Sequence, residues 1–136
     1  MQINLEIVTP ERIAYTDSVD MITVPGVDGI LGILPRHAPL FAQLTEGEVK
    51  ISKGNQELFL AIGGGFIEVM PKKVMILVTK AMYADELNET EINQAKIQAL
   101  EALKQKITPQ EKIIAQAMLR QSIVDLKLLR KRKIHH

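Results

Sequence analysis

Four short stretches of this 136-residue chain hold residue types that act on ligands or partners. Gly63-Gly64-Gly65 has the composition of a phosphate cradle. No helix start and no Lys-Ser/Thr pair follow it, and those supply the amides and charge that phosphate binding uses. The triple glycine therefore predicts a bulge or a close backbone approach between two strands. His37, within Leu34-Pro35-Arg36-His37-Ala38-Pro39-Leu40, is the only histidine before the chain end. A single imidazole makes no metal site, and no Ser and Asp stand near it in a triad pattern. It predicts a proline-bounded turn held by hydrogen bonds to the backbone. Asp28-Gly29 lies between two apolar runs and predicts a hairpin tip, with Ile30 beside it as an exposed contact residue. Arg130-Lys131-Arg132-Lys133 forms a basic cluster suited to an acidic partner or to the negative end of a helix dipole. Without cysteine there is no thiolate nucleophile, thiolate metal ligand or disulfide. No nucleophile, base and oxyanion donor group together anywhere, so an enzyme is the weakest functional class.

The elements that must carry these residues fall into two halves. Ile3, Leu5 and Ile7 alternate with polar residues up to Thr9-Pro10, the period of a half-buried strand. Similar short runs follow: 19–24, 30–34, Val49 with Ile51, 58–62, 66–70 and 74–79, each bounded by Pro, Gly or Asn. Many short strands with regular turn signals predict an antiparallel sandwich or barrel. Beyond Met82 the period changes. Asn88 with Glu91 marks a helix start, followed by Ile92, Ala95, Ala99, Ala102 and Leu103 at helical spacing. Thr108-Pro109-Gln110-Glu111 marks a second start, with an N-cap hydroxyl, proline at the first helical position and a Glu for a capping box. There Ala115, Leu119, Ser122, Leu126 and Leu129 form a stripe that Ile114, Met118 and Ile123 are expected to widen. Two helices of about 18 to 24 residues, joined by two or three, predict a hairpin held weakly by its alanine-rich seam.

Composition sets the bounds. With 46% apolar residues, three Phe, two Tyr and no Trp, the core must be aliphatic. The charge of +1 hides a division: residues 1–84 are net −2 and residues 85–136 net +3. Arg120, Lys127 and the 130–133 cluster face Asp125 alone in the last stretch, while His135 and His136 close the chain as a solvated end. That asymmetry points to a tail that meets something acidic. Nucleic acid is disfavoured because no aromatics interleave with the basic cluster. No apolar run reaches the roughly 18 residues of a spanning helix, and the first residues alternate rather than forming a signal peptide, so a soluble protein is expected.

Val24-Pro25-Gly26-Val27-Asp28-Gly29-Ile30-Leu31-Gly32-Ile33-Leu34-Pro35-Arg36-His37-Ala38-Pro39-Leu40, then Leu44-Thr45-Glu46-Gly47 and Gly64-Gly65-Phe66-Ile67-Glu68-Val69, closely resembles the epsilon subunit of rotary F-type ATP synthases. The resemblance implies a ten-stranded antiparallel β-sandwich over 1–84 followed by a two-helix hairpin over 85–136. It also implies a non-catalytic subunit of the central stalk, peripheral to the membrane on the cytoplasmic face of a bacterial plasma membrane or the equivalent thylakoid face. The implied partners are the gamma subunit, the c-ring and the alpha/beta hexamer. Rotor contacts carry over to Asp28, Gly29, Ile30, Arg36, His37, Ala38 and Pro39. An inhibitory arm carries over to Arg120, Lys127, Arg130, Lys131, Arg132 and Lys133, facing an acidic segment of beta. Extension of the hairpin inhibits ATP hydrolysis in this family.

One departure concerns ATP as a regulatory ligand. Some members bind it through Ile/Leu-Asp-x-x-Arg-Ala at the first helix, and the matching residues here include Glu91, Gln94 and Ala95. Gln94 in place of arginine offers neither charge nor a bidentate fork to phosphate, so little ligand control is expected. The competing reading, a freestanding sandwich adaptor, would have the basic helix bind anionic membrane or nucleic acid with a steep salt dependence.

Overall fold

A computed structural model describes residues 2–135, with side chains up to Lys131. Two compact units divide the chain, Met1–Tyr83 and Ala84–His136. The first holds ten strands: β1 (Ile3–Val8), β2 (Ile13–Val19), β3 (Met21–Gly26), β4 (Gly29–Ile33), β5 (Leu40–Leu44), β6 (Gly47–Lys53), β7 (Gln56–Ile62), β8 (Gly65–Val69), β9 (Val74–Val78) and β10 (Ala81–Tyr83). Hydrogen bonding runs in the order β10-β7-β6-β3-β5-β8-β9-β1-β2, with β4 on β3. The pairs are antiparallel save β1 with β9, which run parallel from Leu5↔Val74 to Val8↔Leu77. Ile3, Leu5 and Ile7, the first alternating set, all point inward, joining Ile22, Val24, Ile51, Leu60, Ile62, Ile67 and Ile76 in one aliphatic core. Burying each such side chain contributes about 1.5–3 kcal/mol, so this core is the main stabilising feature of the chain.

Three strands carry no clear sequence signal. β2 reads Ile-Ala-Tyr-Thr-Asp-Ser-Val, with Ala14 and Val19 buried and Ile13 exposed, so its period is diluted by polar residues. β5 follows Pro39 directly and carries Ala42 and Gln43 in its middle, and β10 has only three residues. Gly65 explains the triple glycine. A Cβ there would collide with the carbonyl oxygen of Leu77 and lie 2.7 Å from Val78 Cα, so β8 and β9 approach as closely as only glycine permits.

The second unit opens with a short 3₁₀ turn, Ala84–Glu86, and continues as α1 (Glu89–Leu103) and α2 (Pro109–His135). Asn88 caps α1, its side-chain oxygen accepting the Glu91 N–H at 3.0 Å. Thr108 caps α2 by accepting the Glu111 N–H at 3.1 Å, and its hydroxyl donates to the Glu111 carboxylate at 3.0 Å. The helices have 15 and 27 residues and five residues between them, so the first is shorter and the connection longer than the periodicity suggested. The extra loop reflects Lys104, Gln105 and Lys106, polar residues that offer α1 no apolar face to extend. The helices bury few side chains: Ile92 and Ala99 of α1, and Ala115, Ser122, Asp125, Leu128 and Leu129 of α2. Ile114, Met118 and Ile123 do not join them; they are 61%, 37% and 52% exposed.

Candidate functional site

The residues expected to meet the rotor form two groups, not one. Asp28 and Gly29 sit at the β3–β4 hairpin, where Gly26 pairs with Gly29 and the φ of +135° at Gly29 requires glycine. Two backbone bonds tie this tip to β5: Val27 N–H to Gln43 O at 3.0 Å and Thr45 N–H to Pro25 O at 2.9 Å. The fixed tip holds Ile30 78% and Val27 50% exposed, an apolar point on the surface. Arg36, His37, Ala38 and Pro39 follow the other end of β4. Five residues of strand at about 3.3 Å each separate the two groups by roughly 16 Å. His37 closes its turn as the prolines predict: its N–H donates to Leu34 O at 3.1 Å, and ring Nδ1 bonds Ala38 O at 2.7 Å.

A third surface was not among the expected residues. Registers carry one outward row across four strands: Phe66 faces Leu77, Leu77 faces Val8, and Val8 faces Ile13. Phe41 extends it by stacking on Phe66, ring centroids 5.3 Å apart and nearly parallel at 22°. Phe41, Ile13, Leu77 and Phe66 are between 43% and 65% exposed, although the opposite faces of their strands already supply the core. Beside the row lies an open apolar depression of about 440 Å³ lined by Thr9, Pro10, Gly64 and Gly65 together with Phe66 and Leu77. A contiguous apolar surface on a folded domain marks a contact with another molecule. The signal in the sequence is loss of alternation: Ile76-Leu77-Val78 and Phe66-Ile67 put apolar side chains on both faces of their strands.

Polar chemistry on the sandwich is structural. Asp20 accepts the Gly54 N–H at 2.6 Å and Asp17 pairs with Lys53 at 2.8 Å, pinning the β2–β3 corner to the β6–β7 hairpin. The Lys53 hydrogen bond and the Ser18 N–H lower the Asp17 carboxyl, and the Gly54 and Gln2 bonds lower that of Asp20. The Asp17 bond raises Lys53 in turn. Among the described residues no three His, Cys, Asp or Glu side chains converge on a metal position.

In the hairpin unit, Arg120, Lys127 and Arg130 are exposed and Lys131 is half-buried. Arg120 and Lys127, seven residues apart, share one helix face. Arg132 and Lys133 belong to α2, and their side chains lie outside the described residues. Glu91 and Gln94 stand exposed on the first turns of α1, while Ala95 is half-buried.

Residues 2–84 match the family of the ATP synthase delta/epsilon chain β-sandwich domain. An ATP synthase epsilon chain of Herpetosiphon aurantiacus is 41% identical over 133 residues, 98% of each chain. One from Chloroflexus aggregans is 42% identical over 134 residues, 98% of this chain and 96% of that one. Among solved structures, a chain of the Tetrahymena thermophila mitochondrial ATP synthase central stalk/c-ring assembly has a TM-score of 0.71 at 18% identity, covering 95% of this chain and 97% of its own. One from the Euglena gracilis mitochondrial ATP synthase has a TM-score of 0.75 at 23% identity, covering 88% and 76%, and these two likenesses concern the fold. Because the epsilon-chain relatives extend through both the sandwich and the helical hairpin, the chain belongs to the ATP synthase epsilon chain family.

Proposed function

We infer that this protein is a non-catalytic central-stalk subunit of an F-type ATP synthase, joining gamma to the c-ring and restraining ATP hydrolysis through its C-terminal helices. The observation that carries this reading is the relation to ATP synthase epsilon chains over 98% of the chain, both units included. The geometry supplies the surfaces such a role needs. The Phe41–Phe66–Leu77–Val8–Ile13 row offers gamma an apolar seat on a rigid sheet, where desolvation of aromatic anchors supports a lasting contact. The Asp28–Gly29–Ile30 tip, narrow and held to β5, meets the polar loops of the c-ring.

The helical unit serves as the regulator because little holds it together. Its helices bury Ala, Ser and Asp beside a few larger residues, so separating the helices exposes little apolar area. Extended, α2 spans about 1.5 Å per residue, roughly 40 Å, and carries Arg120, Lys127, Arg130 and Lys131, with Arg132 and Lys133 beyond them, to the acidic segment of beta. Among Glu91, Gln94 and Ala95, Gln94 brings no charge to a phosphate, so little control by ATP is expected. The protein works peripherally on the cytoplasmic face of the membrane. No helix among the described residues is long and apolar enough to cross a membrane.

Pull-down from the assembled complex tests the role. The tagged chain is expected to retain gamma and the c-ring stoichiometrically. Replacing both Phe41 and Leu77 with Glu is expected to release gamma while leaving the fold intact, since both side chains are exposed. Retention of gamma by that variant contradicts the assigned seat.

A further inference from the structure

The strand order begins at β10 and ends at β2, and among the described residues no backbone ladder joins those two. A strand at such an end presents carbonyls that no neighbouring strand takes up. Here two side chains take them. Arg12, directly ahead of β2, donates from Nη2 to Ala81 O at 2.8 Å, and Tyr83 donates its hydroxyl to Ala14 O at 2.8 Å. The bonds are reciprocal: a side chain from the β2 end holds the β10 backbone, and a side chain of β10 holds the β2 backbone. At its far end β2 is tied through Asp17–Lys53 and Asp20–Gly54, so only the Arg12–Tyr83 end touches the strand that leads out of the sandwich.

That strand is weak by itself. β10 pairs with β7 over three residues only, from Ala81↔Ile62 to Tyr83↔Leu60. Its entry is fixed by Gly63 N–H to Lys80 O at 2.9 Å, so fraying must begin at Tyr83, the residue at which the first compact unit ends. There the ring packs against the aliphatic core while the hydroxyl is bonded to Ala14. Immediately beyond, the holding stops. Residues 84–87 make one 3₁₀ turn, closed by Leu87 N–H to Ala84 O at 3.2 Å, and none of their side chains is buried. Asn88 then caps α1. A firmly held residue thus adjoins a lightly held turn, which is how a hinge with one stationary side is built.

We propose that the Arg12–Ala81 and Tyr83–Ala14 bonds form a clamp on the stationary side of this hinge, so that the helical unit pivots through 84–87 while β10 stays in the sheet. The proposal rests on the reading of the helical unit as a mobile regulator. Without the clamp, residues 81–83 join the moving segment and lengthen it from four residues to seven. A longer tether dilutes the arm about twofold at whatever it reaches.

The test uses the full chain as Y83F, R12M and the double variant. Y83F keeps the ring on the core and removes only the donor; R12M keeps the aliphatic stem and removes the guanidinium. Peptide-resolved amide exchange over 81–83 is expected to quicken roughly fivefold for each bond lost, while β1, β8 and β9 stay unchanged. The double variant, returned to catalytic complex stripped of epsilon, is expected to bind as well as the unmodified chain and to inhibit hydrolysis about twofold less. Unchanged exchange at 81–83 in the double variant would overturn the clamp, and so would an equal rise in every strand, which belongs to a general stabiliser. Faster exchange with undiminished inhibition would overturn its part in the hinge. Absence of inhibition by the unmodified chain would overturn the regulatory reading and the hinge together, whereas ordinary inhibition with unchanged exchange would overturn the hinge alone.

Discussion

The sandwich and the hairpin bury their side chains in different currencies. The sandwich closes over Ile, Leu and Val from nearly every strand, whereas the two helices bury Ala99, Ala115, Ser122 and Asp125 with Ile92, Leu128 and Leu129 as the larger members. The sandwich is held by long-range strand pairing, such as β1 with β9; the hairpin is local in sequence and depends on two side-chain caps. The difference teaches how one small chain combines a fixed mount with a releasable arm. Rigidity follows from branched aliphatic packing, and ease of release follows from a seam that loses little when it parts.

The largest effect that can break this comparison is at Gly65. Gly65→Val would drive a side chain into Leu77 O and Val78 Cα, and it is expected to cost more than about 4 kcal/mol of sandwich stability or prevent folding, read by urea denaturation. Ile76→Ala, at a fully buried core position, should cost about 2–5 kcal/mol. An equal or larger loss from Ala99→Gly in the hairpin would erase the distinction between the units. The middle range is set by the caps: Thr108→Ala is expected to cost about 1 kcal/mol and to speed amide exchange in α2 while leaving β1–β10 unchanged.

The smallest effect is electrostatic and belongs to the sandwich corner. Asp17 and Asp20 titrate below the ordinary carboxylate value of 3.8, so they favour the folded state above that pH, and the contribution fades as pH falls through their lowered values. Lys53 is raised above 10.5, so its contribution is complete below that pH and is lost as pH climbs through the raised value. Asp17 is exposed and Asp20 only half-buried, so the acid loss should be slight and should vanish in D17N/D20N, checked by thermal melts from neutral pH to about pH 2. An unchanged acid slope in that variant would assign the effect to other groups.

The same division decided what could be read from sequence. Strands with clean alternation, such as Ile3–Val8, are legible because one face is buried and the other solvated. β2 was hidden by Thr16, Asp17 and Ser18, and β10 by its three-residue length. Both helix starts were legible because Asn88 and Thr108 cap locally, where sequence and structure coincide. The apolar row was not, because its members are adjacent only through the registers Phe66↔Leu77 and Leu77↔Val8, and register is a property of the whole sheet. Nor does spacing reveal that Asp28 and Arg36 lie at opposite ends of β4, or that Arg36 and Lys72 line one cleft.

The most direct measurement is ATP hydrolysis by catalytic complex stripped of epsilon, to which either the full chain or a chain ending at residue 119 is returned. The truncation removes the basic end of α2 and leaves the sandwich surfaces whole. Both proteins are expected to bind the complex with similar affinity. Only the full chain is expected to lower the hydrolysis rate, and raised salt should weaken that inhibition because the arm acts through exposed charges. Equal inhibition by the two proteins, or no binding by either, would contradict the account.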